Sequence, residues 1–331
     1  MKGFFRASFS VGISVCFLLS GCGGAGGTDS ISSDTSENLA VVRPLMEMSR
    51  YDLKTYLLPY WDTREIYQET VVFLEGETEA PLLYAAQDIL SVKNYGLNIV
   101  YEAGKDYELS EDGRLVLTPN SSIPRFPIDE YYLTEPDDRV IKVNNEKASV
   151  ALEGDHWLNF FENDELTSVQ ISVCYRHKQA WKGPIPEGKG EKIPRFLSKL
   201  ENGENVTMLF YGDSITTGAQ SSGFEQVSPQ ADIWPVMVKK YIEAEYGVGV
   251  NYINKAVGGY TTNQGAQNFG NGVNRSGVDL LVLAFGMNDQ NTALSKYKSL
   301  IQSMIEDFRR ENPEGEIVLV SAMTPSYETD W

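Results

Sequence analysis

Histidine is nearly absent: the 331 residues contain two, His156 and His177. A histidine-based catalytic base or metal centre therefore uses one of these or is not in this chain. Cysteine is almost as scarce, at three: Cys16, Cys22 and Cys174. No cluster of His, Cys and carboxylates has metal-ligand spacing, so neither a metal nor a cofactor is expected. Basic residues are outnumbered, 28 Lys and Arg against 46 Asp and Glu, for a net charge of −18. With no basic block to meet phosphates, nucleic acid is excluded as a partner. What is present is apolar: hydrophobic residues make up 42% of the chain, which builds real cores and excludes wholesale disorder. The length suits about two domains of ordinary size.

Lys2 and Arg6 precede an apolar stretch, Phe9 to Leu19, that ends in Leu19-Ser20-Gly21-Cys22. A short positive segment, a short apolar one and small residues spell a signal peptide over 1–21. The stretch falls short of the ~20 residues that span a bilayer. A cysteine directly after Leu-Ser-Gly resembles the bacterial lipobox, in which cleavage leaves an N-terminal lipidated Cys. The expectation is a lipid anchor at Cys22 on the outer side of a bacterial membrane, with an ordinary secretory signal as the alternative. Cys174 is then the one free thiol, and no intrachain disulfide forms.

Residues 22–48 are rich in Gly, Ser, Thr and Asp and read as a flexible tether. Residues 49–178 carry short strand signals at Thr70–Leu74, Ile89–Lys93, Arg114–Thr118, Ala148–Leu152 and Ser168–Tyr175, separated by turn residues. In the last, Val169, Ile171, Val173 and Tyr175 alternate with Gln170, Ser172 and Cys174. This predicts an all-β sandwich of jelly-roll type. Residues 179–195, with Pro184, Pro186 and Pro194, form a linker. From 196 to 331 the pattern changes to strands at Val206–Tyr211, Val250–Ala256, Leu280–Phe285 and Ile317–Met323, with helices over Trp234–Tyr246 and from Leu294 to Phe308. Alternating strands and helices imply a parallel sheet covered on both faces, with its ligand site beyond the carboxyl ends of the strands.

Three of those ends carry chemistry: Gly212-Asp213-Ser214, Val257-Gly258-Gly259-Tyr260-Thr261 and Phe285-Gly286-Met287-Asn288-Asp289. A serine hydroxyl, a glycine N–H and an asparagine amide brought to one sheet edge supply what acyl transfer needs. The set resembles the SGNH (GDSL-type) hydrolase superfamily, over about Pro194 to Trp331. The resemblance implies a three-layer α/β fold and a Ser214 nucleophile. It also implies an oxyanion hole from the Ser214 N–H, the Gly259 N–H and the Asn288 amide. Gly258 is the rival for the role of Gly259.

The family's base comes from an Asp-x-x-His block on a later loop, and no Asp-x-x-His occurs in these 331 residues. Three accounts stand: further residues beyond Trp331 carry it, His156 or His177 replaces it, or the protein is a dead enzyme. The first is the expectation. The sheet is then incomplete at its C-terminal edge, and the 331-residue chain is inactive. His156 reads as a surface or Trp-packed residue, His177 as a solvated strand end, and Cys174 as a small buried apolar residue. A β-sandwich ahead of an SGNH domain resembles carbohydrate esterases of family 2, which implies removal of O-acetyl groups from a glycan. A lipid-directed or short-acyl esterase and a non-catalytic glycan-binding lipoprotein are the rivals. The oligomeric state is left open.

Overall fold

The computed structural model describes residues 53–134, 142–143, 146–147, 150–152, 156–158, 165–185, 187–188, 190–273 and 275–323. The signal segment, the tether with Cys22 and the Glu153-Gly154-Asp155 turn lie outside them, as does the side chain of His156.

The first module is antiparallel. Strands β1 (Glu65–Val71), β2 (Ala86–Asn94), β3 (Val100–Tyr101) and β4 (Ile171–His177) pair in the order β1-β4-β2-β3. Glu79–Ala80, Leu115–Leu117 and Tyr107–Leu109 make a second, three-stranded sheet. One core joins the two. Ile66, Val71, Val92, Ile171, Val173 and Tyr175 of the first sheet pack with Tyr107, Leu115 and Leu117 of the second. That shared core makes a sandwich. Within it Glu69 is buried, accepting hydrogen bonds from Tyr175 Oη at 2.6 Å and Leu83 N at 2.8 Å.

The expected strand at Ser168–Tyr175 starts later, at Ile171, because Glu165–Ser168 forms a helical turn. His177 also departs from expectation: it is not a solvated strand end. It is 3% exposed and stacks on Tyr84, ring centroids 3.7 Å apart at 4°. Its aromatic neighbours outweigh the flanking Arg176 and Lys178, which misled the sequence reading. Cys174 is buried as expected, and burial pushes its thiol up.

The second module is α/β. Helix α1 (Pro194–Glu201) leads into strand β5 (Val206–Gly212) and the one-turn helix α2 (Ser214–Thr217). Then follow α3 (Trp234–Tyr246), β6 (Val250–Asn254), α4 (Thr262–Asn271), β7 (Leu280–Ala284), α5 (Leu294–Glu311) and β8 (Glu316–Leu319). The strands are parallel in the order β6-β5-β7-β8. Phe196, Leu200, Trp234, Val238 and Ile242 cover one face through Met208, Phe210 and Val282. Phe269, Met304 and Phe308 cover the other through Leu209, Leu281 and Leu283. Three layers result, and the two central strands are apolar on both faces because helices bury both.

Strand β5 is where the chain reverses its direction across the sheet: β6 lies on one side of it, β7 and β8 on the other. The loops leaving β5, β6 and β7 therefore gather at one edge, the ordinary place for a ligand site in such sheets. The two modules touch through Ser228 Oγ, which donates to Gly96 O at 2.8 Å, and through a Lys54–Glu245 ion pair at 2.5 Å.

Candidate active site

Strand β5 ends on Gly212 because a side chain there has nowhere to go. A Cβ would stand 2.2 Å from Ala284 O on β7 and 2.5 Å from Thr216 Oγ1. The chain then turns sharply into α2. Asp213 is its N-cap, its carboxylate accepting from Ile215 N at 3.1 Å, and its own N–H donates to Ala284 O at 3.3 Å. Gly218, at φ 84°, ends the turn in the left-handed conformation that glycine adopts freely. Ser214 is thus the first residue of a short helix at the tip of a central strand, half-buried.

The Asp213 carboxyl is buried, and burial pushes its pKa up. The Ile215 and Met287 N–H groups pull it back, while Asp289 adds a further upward push.

The loop after β6 is held against β5 by Lys255 N to Phe210 O at 2.9 Å and Val257 N to Gly212 O at 3.0 Å. Those bonds bring Gly258 beside the serine: a Cβ built on it would lie 3.8 Å from Ser214 Cβ. Gly259 adopts φ 74°, and a Cβ there would meet nothing within 4 Å. The doublet thus divides the work, with Gly258 nearest the serine and Gly259 making the left-handed turn.

The loop after β7 completes the group. Gly286 has φ 141°, and a Cβ on it would come within 2.9 Å of Ala322 Cβ. Asn288 Nδ2 donates to Tyr260 O at 3.0 Å, which ties its amide to the glycine loop and leaves a second N–H on the same nitrogen. Asp289 is buried and accepts from Thr262 N at 2.9 Å, Thr262 Oγ1 at 2.6 Å and Thr292 Oγ1 at 3.0 Å. A carboxylate there meets the free N–H groups and positive end of α4. Asp289 thereby welds the β7 loop to the β6 loop.

A cavity of about 60 Å³ opens beside this edge, lined among others by Asp213, Thr216, Trp234, Phe285, Met287 and Ala322. Ser214 is not in its wall; its Cβ neighbours Gly258 instead.

The residues singled out in the sequence divide accordingly. Ser214, Gly258, Gly259 and Asn288 come together at one sheet edge. His177 does not join them, being held in the sandwich core by Tyr84 and Tyr175. His156 lies on a strand, His156–Leu158, of a separate three-stranded antiparallel sheet. No group of three or more His, Cys, Asp and Glu suited to a metal occurs among the described residues. Sequence reasoning missed Asn254 and Thr262. Asn254 carries a legible signal: it closes a turn on itself, accepting from Ala256 N at 2.9 Å, as Asn does after strands.

The model of the GDSL-like Lipase/Acylhydrolase family matches residues 210–330, which hold Ser214 and both partner loops. That stretch is a GDSL-like lipase/acylhydrolase domain. No curated protein matches the chain. Among solved structures it is similar to a two-domain esterase (CEX) active on acetylated mannans, co-crystallized with mannopentaose. The identity is 19%, covering 39% of this chain and 34% of that one, at a TM-score of 0.34. It is also similar to a lipase/acylhydrolase from Enterococcus faecalis, at 24% identity over 36% of this chain and 59% of that one, TM-score 0.28. An acetyl xylan esterase, AlAXEase, matches at 19% identity over 34% and 57%, TM-score 0.27. The chain thus spans about a third of the length of the two-domain esterase.

Proposed function

We propose that the GDSL-like lipase/acylhydrolase domain of this chain is a serine esterase that removes O-acetyl groups from a glycan. In the reaction Ser214 Oγ attacks the ester carbonyl and the sugar hydroxyl leaves with a proton. Water then releases acetate from the acyl-serine. The negative oxygen of each tetrahedral intermediate is received by the Ser214 N–H, the Gly259 N–H and the Asn288 amide, with Gly258 as the alternative donor. The observation that supports this best is the convergence of the three loops. The serine stands at a strand tip beside Gly258, and the Asn288 amide is bonded into the same glycine loop. The glycan preference rests on the pairing of a β-sandwich with this domain, and a lipid anchor at Cys22 places the activity outside the cell membrane.

The chemistry also needs a base within hydrogen-bond reach of Ser214 Oγ. The 331 residues contain no Asp-x-x-His, and His177 is committed to the sandwich. Added imidazole can serve as such a base in a test of Ser214. The rival from another class is a glycan-binding protein without catalysis.

One experiment separates them. Hydrolysis of p-nitrophenyl acetate is followed with and without imidazole, beside Ser214→Ala. The esterase reading expects a rate that imidazole raises only in the chain that keeps Ser214, and slow labelling of that serine by a fluorophosphonate. Identical curves for the two proteins and an unlabelled Ser214 sink it. A chain-length series then tests the acyl group, since a deacetylase loses activity beyond acetate.

A further inference from the structure

Helix α2 is one turn long, so the carbonyls of the nucleophile turn have no helix ahead of them to bond to. Three of its four carbonyls find donors, some in the turn itself and some in other elements. Ser214 O accepts from Thr217 Oγ1 at 2.7 Å and Ala219 N at 3.1 Å. Ile215 O accepts from Gly218 N at 3.2 Å and from the indole Nε1 of Trp234 at 2.9 Å. Thr216 O accepts from Asn254 Nδ2 at 2.8 Å. Two of these donors come from other elements. Trp234 opens α3 and is braced edge-on against Phe210 of β5, ring centroids 5.4 Å apart at 78°. Asn254 ends β6, and its Oδ1 accepts from Ala256 N at 2.9 Å, two residues before Gly258. Its amide therefore bonds at one end to the nucleophile turn and at the other to the glycine loop.

We infer that Asn254 and Trp234 are positioning residues for the nucleophile: they hold the Thr216 and Ile215 carbonyls and so set where Ser214 stands relative to the Gly258-Gly259 loop. Neither side chain touches the reacting atoms. Both act through the backbone of α2, whose C-terminal stop at Gly218 leaves those carbonyls open to outside donors. A serine displaced by even ~1 Å loses about a hundredfold in rate. The inference rests on the reading of Ser214 as nucleophile, and its test contains one arm that needs no catalysis.

Two near-isosteric changes remove one donor each. Asn254→Asp replaces an amide donor with a carboxylate that cannot donate until it is protonated. Trp234→Phe keeps an aromatic ring against Phe210 and loses the N–H. Hydrogen–deuterium exchange of residues 214–219, read by mass spectrometry against wild type at the same pH, is expected to speed up about tenfold in each variant, the equivalent of one lost hydrogen bond. Strands β5 and β7 keep their protection. In the imidazole-supported assay kcat falls about tenfold to a hundredfold while KM stays within about twofold. The extra exchange in Asn254→Asp, compared with wild type at each pH, shrinks as pH falls toward the ordinary range of an Asp carboxyl, about 4. Unchanged exchange in 214–219 overturns the inference, as does a loss that lies in KM alone or tracks global melting. A wild-type chain with no Ser214-dependent hydrolysis even with imidazole, and no labelling of Ser214, sinks the esterase reading by itself. The exchange arm still decides whether these two side chains hold the turn.

Discussion

Gly212 is required by space. Its would-be Cβ meets the backbone carbonyl of Ala284, an atom that cannot move without parting β5 from β7. Gly212→Ala is expected to destabilise the domain by about 1–3 kcal/mol, the usual cost of overpacking, or more because the obstacle is backbone. A lowered urea midpoint with an unchanged m-value checks it. Asn288 bears on the proposed chemistry instead. On the proposal that its amide is an oxyanion donor, Asn288→Ala is expected to lower the imidazole-supported, Ser214-dependent rate by about 10²–10³. The same change leaves Tyr260 O without its donor at 3.0 Å, so the melting temperature is followed alongside; a rate loss without a matching stability loss supports the oxyanion role. At this scale the sequence named Ser214 and Asn288 as candidates through a motif. It was silent on why Gly212 is needed, because the obstacle belongs to a strand some seventy residues further on.

Helix α4 shows what pattern reading overlooks. Its sequence, Thr-Asn-Gln-Gly-Ala-Gln-Asn-Phe-Gly-Asn, has a single large apolar residue, Phe269, and so no hydrophobic period. The helix forms because its start is heavily satisfied: Thr261 and Gln264 make a reciprocal capping box, and Asp289 accepts from Thr262 N. The box was readable in the sequence; the Asp289 contact was not, because it crosses from another loop. Thr261→Ala is expected to cost about 1 kcal/mol, measured as a shift in the urea midpoint. Helix α3, by contrast, runs over the residues its apolar spacing predicts, with Pro235 in the first turn and Gly247 as its left-handed stop. Strand β8 is shorter than expected, Glu316–Leu319, and lies at the sheet edge with Leu319 56% exposed.

For the whole molecule, His177 is expected to make the sandwich sensitive to acid. Burial pulls its imidazole below the ordinary range, so the unfolded chain binds the proton more readily than the folded one. The stability this confers is present above about pH 6.5 and is lost as pH falls through the folded value. His177→Phe is expected to flatten the pH dependence of the melting temperature below neutrality; an unchanged slope refutes it. The proposed anchor at Cys22 is tested separately. In a bacterial host, Cys22→Ser should move the protein from the membrane fraction to the soluble extracytoplasmic fraction and abolish its labelling by a fatty acid. By itself the sequence determined the two-part organisation, the alternation of strands and helices, and the order of the three chemical loops, because each depends on residues close together along the chain. Only the tertiary structure decided that β5 lies between β6 and β7, that Asn288 is bonded to the glycine loop, and that His177 belongs to a core. Each of those depends on which distant segments exclude water from one another, and that is settled by packing across the whole sheet.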